Sequence, residues 1–487
     1  MVRINFKTNK TNLLVAKTTA IFDAASESVQ ILSSGQNLAS ESNPYITKEY
    51  SKLQQLTGIY AGGRLLGTEK GNTETENYGI ALDIGTTTLV ATLVDIETGH
   101  ELATVSRLNP QATRAHDVLS RIKVAAEPEG LSMLYSTLIF QINWMIRELT
   151  AAAEVNKAHI YEIVFSGNPC MLHLALNVNP APLGKYPYRP VVTGGNWLRS
   201  IDHNIDIAEF GLIYIPPIIS AYVGADITSG ILAAQLDRRP GITLLIDIGT
   251  NGEMVLATDG KMIATSTAAG PAFEGMNITH GQRAENGAIE SFQIDDDGQI
   301  HYETIGNRTA TGICGSGLLD IVSSLVVQGV VDQNGKLNDS QNQLLPDLLR
   351  SRLIVRDGKL VFQITDTIWL TQTDLRQVQL AKGAIRAGIE FLLSEANIPA
   401  KAVERVLIAG SFGYHLKVNS LINIGLIPEE FQDKVEMVGN TSKTGAQAFL
   451  LNQFYREAMT RVIKDVTVLE LESFPNFDRV FVQSLSF

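Results

Sequence analysis

Residues 78–104, YGIALDIGTTTLVATLVDIETGHELAT, contain an apolar run of strand length, the tetrapeptide Asp-Ile-Gly-Thr (83–86), a second apolar run, a turn at Gly99 and Ala-Thr at 103–104. The same parts return in the same order at 242–265, ITLLIDIGTNGEMVLATDGKMIAT, with Asp-Ile-Gly-Thr at 247–250, a turn at Gly260 and Ala-Thr at 264–265. An internal echo of this length argues for duplication, with two related β-hairpins opening two related lobes.

Between the copies, Leu131, Leu134, Leu138, Ile142, Met145 and Leu149 recur at helical spacing and lead into the strand-like IYEIVFSGN. A second helix is signalled by Thr373 as N-cap and by Leu375, Val378, Ala381, Ile385, Ile389 and Leu392 along one face. It leads into the strand RVLIAGSFG (405–413), and the pattern closes with the strand KVEMVGN and a helix from Thr444 to Leu451. The sum is a duplicated α/β chain with mixed sheets. Residues 1–77 are polar and weakly periodic and end in a Gly, Asn, Thr and Glu run, so they read as an appendage and linker. The first lobe is then expected at 78–235 and the second at 236–487, with an inserted subdomain at about 275–370.

A chain of 487 residues has ample material for a buried site, and 39 basic against 51 acidic residues give a net charge of -12. That balance disfavours nucleic acid and anionic membranes as partners. Arg3, Lys7 and Lys10 are followed by no long apolar segment, and the most apolar later stretch, Leu212 to Gly224, is short and carries Pro216 and Pro217. A cytoplasmic, soluble protein is expected. The two cysteines, Cys170 and Cys314, have no neighbours at metal-ligand spacing and read as buried, inert thiols.

Phosphoryl transfer depends mainly on positioning and electrostatics, so a triphosphate needs backbone N–H groups aimed at its oxygens and a hard cation bridging them. Gly85 permits close backbone approach, Thr86, Thr87 and Thr88 offer amides and hydroxyls, and Asp83 at the strand end is placed to hold Mg²⁺. Asp247, Gly249, Thr250 and Asn251 repeat the set. A plain turn accounts for one such cluster but not for two in matched strand contexts. Gly410, Ser411 and Gly413 follow an apolar strand, where small residues let adenine lie against the backbone or simply serve a strand-to-helix turn. Gly315 and Ser316 precede a helix, whose first amides face a phosphate or whose small residues allow close packing. Glu274 and Arg283 belong to a polar loop after the second hairpin and face the γ-phosphate, a partner protein or solvent. His280, in the same loop, is assigned no role.

The order of phosphate loop one, phosphate loop two and adenosine loop resembles the superfamily of acetate and sugar kinases, heat-shock chaperones and actin. The resemblance implies an actin-like, ribonuclease H-like ATPase fold with ATP between two lobes. IYIPPIISAYVGADITSGILAA (213–234) and VEMVGNTSKTGAQAFL (435–450) look like its two connecting segments. By that analogy Asp226 orients the attacking water or the metal, with helix capping the alternative. Gln379, Lys382 and Arg386 stand where the chaperones hold the adenosine, although a solvent-facing charged stripe is the simpler reading of their spacing.

Within the superfamily, SRLNPQATRAHDVLSRI, GNPCMLHLALNVNPAPLG, TSTAAGPAFEGMNITHGQRAENGAIE, GICGSGLLD and QLAKGAIRAGIEFLL closely resemble the reductive activators of corrinoid proteins, from about residue 56 onward. The resemblance implies an ATPase, with ATP and Mg²⁺, that binds a corrinoid protein and helps an electron pass uphill from Co(II) to Co(I). Raising one electron by 100 mV costs about 2.3 kcal/mol, within reach of nucleotide-driven conformational change. Such activators usually carry an iron-sulfur domain, which the cysteine count here does not allow. The expectation is no iron-sulfur cluster in this chain and a separate ferredoxin-like electron donor, with a homodimer left open. Hydrolysis is expected to be slow and partner-stimulated. The rival readings are a small-molecule kinase and a non-catalytic nucleotide-gated binding module.

Overall fold

The computed structural model describes residues 13–23, 28–31, 54–339, 341–410 and 416–487. They form two compact units, one from the described chain up to Ser229 with Ser442–Ile463, the other from Gly230–Thr441 with Lys464–Phe487.

In the first unit, β1 (Val15–Asp23), β2 (Ser28–Ile31), β3 (Gln54–Ala61) and β4 (Arg64–Lys70) form an antiparallel sheet in the order β2-β1-β3-β4. Lys17 Nζ donates to Glu69 Oε2 (3.0 Å), Tyr161 Oη (2.8 Å) and the Glu76 carbonyl (3.1 Å), and Leu14, Val15 and Ile59 pack with Tyr161, Ala208 and Leu212.

The main sheet of this unit contains β5 (Tyr78–Ile84), β6 (Thr88–Asp95), β7 (Glu101–Leu108), β8 (Ile160–Gly167), β9 (Asn196–Arg199) and β10 (Leu212–Ile215), in the order β7-β6-β5-β8-β10-β9. β5, β6 and β7 pair antiparallel, and β5, β8 and β10 pair parallel. Helices α1 (Val118–Ala125), α2 (Pro128–Ala153) and α3 (Pro169–Ala175) lie in the connections between these strands, and α4 (Ala225–Ala234) follows β10 and leads on to the second unit. Leu134, Leu138, Ile142, Met145 and Leu149 of α2 are buried in the core beside the sheet, as their spacing predicts. Each such side chain contributes about 1.5–3 kcal/mol by leaving water.

The second unit opens with β11 (Ile242–Ile248), β12 (Gly252–Thr258) and β13 (Lys261–Thr267). Two small three-stranded sheets follow, one from β14 (Ala288–Ile294), β15 (Ile300–Thr304) and β16 (Gly312–Ile313), the other from β17 (Leu353–Arg356), β18 (Lys359–Gln363) and β19 (Trp369–Thr371). Between them lie α5 (Gly315–Val327) and α6 (Asp347–Ser351). Then come α7 (Gln372–Glu395), β20 (Arg405–Ala409), α8 (Val418–Asn423) and β21 (Val435–Gly439); from Ser442 onward α9 (Thr441–Leu451) and α10 (Gln453–Val462) belong to the first unit, and β22 (Thr467–Val468) and α11 (Phe477–Gln483) complete the second.

The second main sheet runs β21-β20-β11-β12-β13-β22. Its centre repeats the first: β11, β12 and β13 are antiparallel, and β11, β20 and β21 are parallel. β5 and β11 also have the same burial sequence, four enclosed residues followed by a half-buried Asp and a buried Ile. Full burial explains why both strands read as continuous apolar runs rather than alternating ones.

Local expectations are corrected at three points. The N-cap of α7 is Thr371, not Thr373, because Thr371 and Asp374 form a reciprocal capping box and Thr373 lies inside the helix. The helix expected from Thr444 begins at Thr441. Gln379 and Lys382 are not a solvent-facing stripe but are buried, 3% and 1% exposed. Gln379 Nε2 donates to the Leu485 carbonyl (3.0 Å) and Lys382 Nζ to the Ser486 carbonyl, so the chain's last residues cover that face of α7.

Candidate functional site

The first Asp-Ile-Gly-Thr turn joins β5 to β6. Gly85 N–H donates to the Thr88 carbonyl (3.0 Å), and a Cβ on Gly85 would lie 2.4 Å from that oxygen, so the turn requires glycine. Asn109 braces the loop twice, with Nδ2 donating to the Gly85 carbonyl (2.9 Å) and its backbone N–H to the Thr87 carbonyl (2.8 Å). Arg121 Nη2 donates to the Thr86 carbonyl (2.6 Å). Three successive carbonyls are therefore held by the protein. In a planar trans peptide the carbonyl and the following N–H point in opposite directions, so the amides of Thr86, Thr87 and Thr88 turn away from these donors. Asn168 Nδ2 fixes Thr86 Oγ1 (2.9 Å), while its Oδ1 caps α3 by accepting from Met171 N–H (3.0 Å). Successive backbone amides turned to one side of a braced loop are the kind of group that anions are bound by in other proteins.

At the end of β5, Asp83 Oδ1 accepts from Ser442 Oγ (2.8 Å). Ser442 and Ser166 hydroxyls lie 2.9 Å apart, and Ser166 donates to Ser229 (2.9 Å). Asp226, in the first turn of α4, accepts from Ile227 N–H (2.9 Å). Burial, with the Asp83 charge adding to it, raises its carboxyl to about 7. The Asp226 carboxyl thus feels the Asp83 charge close to the Ser442 hydroxyl that Asp83 accepts from. Asp226 lies inside α4, where it accepts from the adjacent Ile227 N–H rather than capping the helix from outside.

In the second unit, Asp247 pairs with Glu253 across the hairpin and with Ala409 in the parallel direction. Gly249 N–H donates to the Asn251 carbonyl (3.0 Å), and the Thr250 carbonyl accepts from Gly270 N–H (2.8 Å). Thr250 Oγ1 donates to Glu274 Oε2 (2.5 Å), which ties Glu274 to this turn. Gly410 adjoins the same strand: a Cβ there would lie 2.4 Å from the Ile248 carbonyl oxygen. Ser411 and Gly413 lie outside the described residues. At the start of α5, a Cβ on Gly315 would lie 1.9 Å from the Phe273 carbonyl oxygen, and Ser316 Oγ donates to the Glu290 carbonyl (2.9 Å), observations that favour packing. Arg283 Nη1 lies 3.7 Å from Glu285, and His280 stands edge-on to Trp369 with centroids 4.2 Å apart. Cys170 and Cys314 are free and buried.

Asp83, Gly85, Thr86, Thr87, Thr88 and Asp226 thus gather in one unit, and Asp247, Gly249, Thr250, Asn251 and Gly410 in the other. Residues 241–487 match the family described as the C-terminal domain of RACo, the ASKHA domain, and residues 78–239 match the RACo middle region. The chain belongs to the RACo family. As a RACo-family protein it has the duplicated actin-like fold. It is 33% identical over 459 residues to the corrinoid activation enzyme RamQ of Eubacterium limosum, a span of 91% of this chain and 77% of that protein. It is 25% identical over 439 residues to the [Co(II) methylated amine-specific corrinoid protein] reductase of Methanosarcina barkeri, covering 82% of this chain and 76% of that one. A solved structure named as the reductive activator for corrinoid, iron-sulfur protein superposes with a TM-score of 0.83 at 35% identity, over 89% of this chain and 70% of that one.

Sequence reading missed Asn109, Arg121, Asn168 and Ser442. All four lie in phrases that carry the RACo resemblance or in the second connecting segment, so the signal was present as wording without chemistry. For Arg121 a physical signal also exists: it shares the buried face of α1 with Ile122 and Ala125, an unusual place for a cation.

Proposed function

We propose that this chain is a Mg-ATP-dependent activator that binds a corrinoid protein and assists its one-electron reduction from Co(II) to Co(I), the electron coming from a separate ferredoxin-like protein. The observation that carries the reading is the pair of Asp-Ile-Gly-Thr hairpins in matched β5 and β11 strands, in a RACo-family chain. The proposal assigns the amides of Thr86, Thr87 and Thr88 to phosphate oxygens, with Gly249, Thr250 and Asn251 as the second phosphate loop. Gly410, Ser411 and Gly413 are assigned to adenosine, and Gly315 and Ser316 to a weaker phosphate contact. Asp83 and Asp247 would hold Mg²⁺, which supplies neutralising charge to the phosphates. Asp226, with its raised proton affinity, suits acceptance of a proton from water as ATP and water become ADP and phosphate. Cytoplasmic location, and domains at 1–77, 78–235 and 236–487, complete the reading.

The test mixes the purified chain with Mg-ATP, a chemical reductant and Co(II) corrinoid proteins, and follows the cobalt absorption spectrum. ATP-dependent growth of the Co(I) band with at least one corrinoid protein is expected. Transfer of phosphate to a metabolite without any cobalt response would replace this reading with the kinase.

A further inference from the structure

Arg121 is fully enclosed, with 0% of its surface exposed. Its three donor groups are all engaged by neutral acceptors: Nε by the Ala115 carbonyl (2.9 Å), Nη1 by Met171 Sδ (2.8 Å) and Nη2 by the Thr86 carbonyl (2.6 Å). Among the described residues no carboxylate lies within ion-pair distance of it. The ionisable groups that influence it are two. Cys170 is held neutral, its thiol pushed up to about 12 by burial. Asp117 is half-exposed and spends its carboxylate on the cap of α1, accepting from Ser120 N–H (2.7 Å). Burial lowers Arg121 to about 10, which leaves the guanidinium charged at neutral pH.

A buried cation is costly unless something compensates it. A post that merely held a carbonyl in place needs no charge, because a neutral amide donor does that work, as Asn109 does on the neighbouring Gly85 carbonyl. The guanidinium grips the carbonyl of the Thr86–Thr87 peptide, whose N–H points the other way. Hydrogen bonds in such a chain polarise one another, so a cation on the carbonyl side makes the amide on the far side a stronger donor to an anion.

We propose that Arg121 is the buried counter-charge for the phosphates bound at the Thr86–Thr88 amides, acting through the Thr86–Thr87 peptide as a positioning residue; the proposal rests on the reading of that loop as phosphate-binding. The unpaired cation is the charge that the ligand completes. The guanidinium never touches the nucleotide.

The test compares Mg-ATP affinity of the full chain by calorimetry for wild type, Arg121→Lys, Arg121→Gln and Cys170→Asp. Lys and Gln both lose the three-pronged geometry, but Lys alone keeps the charge. Cys170→Asp leaves Arg121 in place and sets a carboxylate at a position whose charge already acts on the guanidinium. The expected result is a Kd about tenfold weaker for Arg121→Gln and for Cys170→Asp, and within about threefold of wild type for Arg121→Lys. The nucleotide-free Cys170→Asp chain should melt no lower than wild type, since its buried charge is now paired. Equal weakening by Lys and Gln, or wild-type affinity in Cys170→Asp, overturns the proposal and leaves Arg121 a structural post. If Arg121→Gln fails to fold, the Cys170→Asp result decides alone. Absence of Mg-ATP binding by wild type is a different failure, that of the loop assignment itself.

Discussion

Ser442 and Asp83 are 359 residues apart in sequence, yet the serine hydroxyl donates to the carboxylate across 2.8 Å. The bond fixes one oxygen of a residue that β5 delivers at its very end, where a strand alone leaves the side chain free to rotate. Ser442→Ala should therefore weaken Mg-nucleotide binding by about tenfold or more, the equivalent of roughly 1.5 kcal/mol, the lower end for a hydrogen bond to a charged group. Ser442→Thr should retain most of it. Calorimetric titration of both variants decides between this role and a purely packing one, which predicts unchanged affinity for both.

Gly85 offers a sharper steric test. A Cβ added at this position would lie only 2.4 Å from the Thr88 carbonyl oxygen, so Gly85→Ala must open the turn and misalign the amides behind it. Nucleotide affinity should drop by about tenfold or more, while far-ultraviolet circular dichroism stays unchanged because β5 and β6 remain paired. An alanine variant that binds normally would show that the turn is not the phosphate receptor.

Arg456 Nη1 lies 2.7 Å from Glu162 Oε1, with both side chains buried, and Arg456 Nη2 donates to the Phe449 carbonyl (2.8 Å). Removing one partner leaves an uncompensated charge beside Tyr214. Glu162→Ala and Arg456→Ala should each cost about 3–5 kcal/mol in chemical denaturation. The double variant should cost clearly less than the sum, and strict additivity would contradict a direct pairing.

Lys382 gives a pH dependence. Burial, with Arg386 adding to it, lowers its ammonium to about 7 from 10.5 in an open chain. Between those values the unfolded chain binds the extra proton, so stability should rise as pH climbs from about 7 towards 10 and flatten outside that window. Each unit of such a shift corresponds to about 1.4 kcal/mol. Thermal melts across this range should slope upward for wild type and lose that component in Lys382→Met; parallel slopes for the two proteins would contradict it.

Much of the architecture was legible because β5 and β11 are buried on both faces and so appear as uninterrupted apolar runs ending in Asp-Ile-Gly-Thr. The α2 stripe was equally plain. The sheet β1–β4 was not, since Lys17 pairs with Glu69 and the Thr57 hydroxyl donates to the Gly71 carbonyl, and these polar groups erase the apolar signature. Lys382 and Gln379 misled for a related reason: their partners are backbone carbonyls about a hundred residues away. The braces on the first loop, Asn109, Arg121 and Asn168, also act on carbonyls and a hydroxyl far along the chain, and no local spacing encodes such contacts.

The most direct measurement is calorimetric titration of Mg-ATP into the purified chain, wild type beside Asp83→Ala and Asp247→Ala. One nucleotide per chain is expected for wild type, with binding abolished in each variant although both remain folded. No heat of binding in wild type, or undiminished binding in both variants, would contradict the assignment of the two hairpins to a magnesium-bound triphosphate.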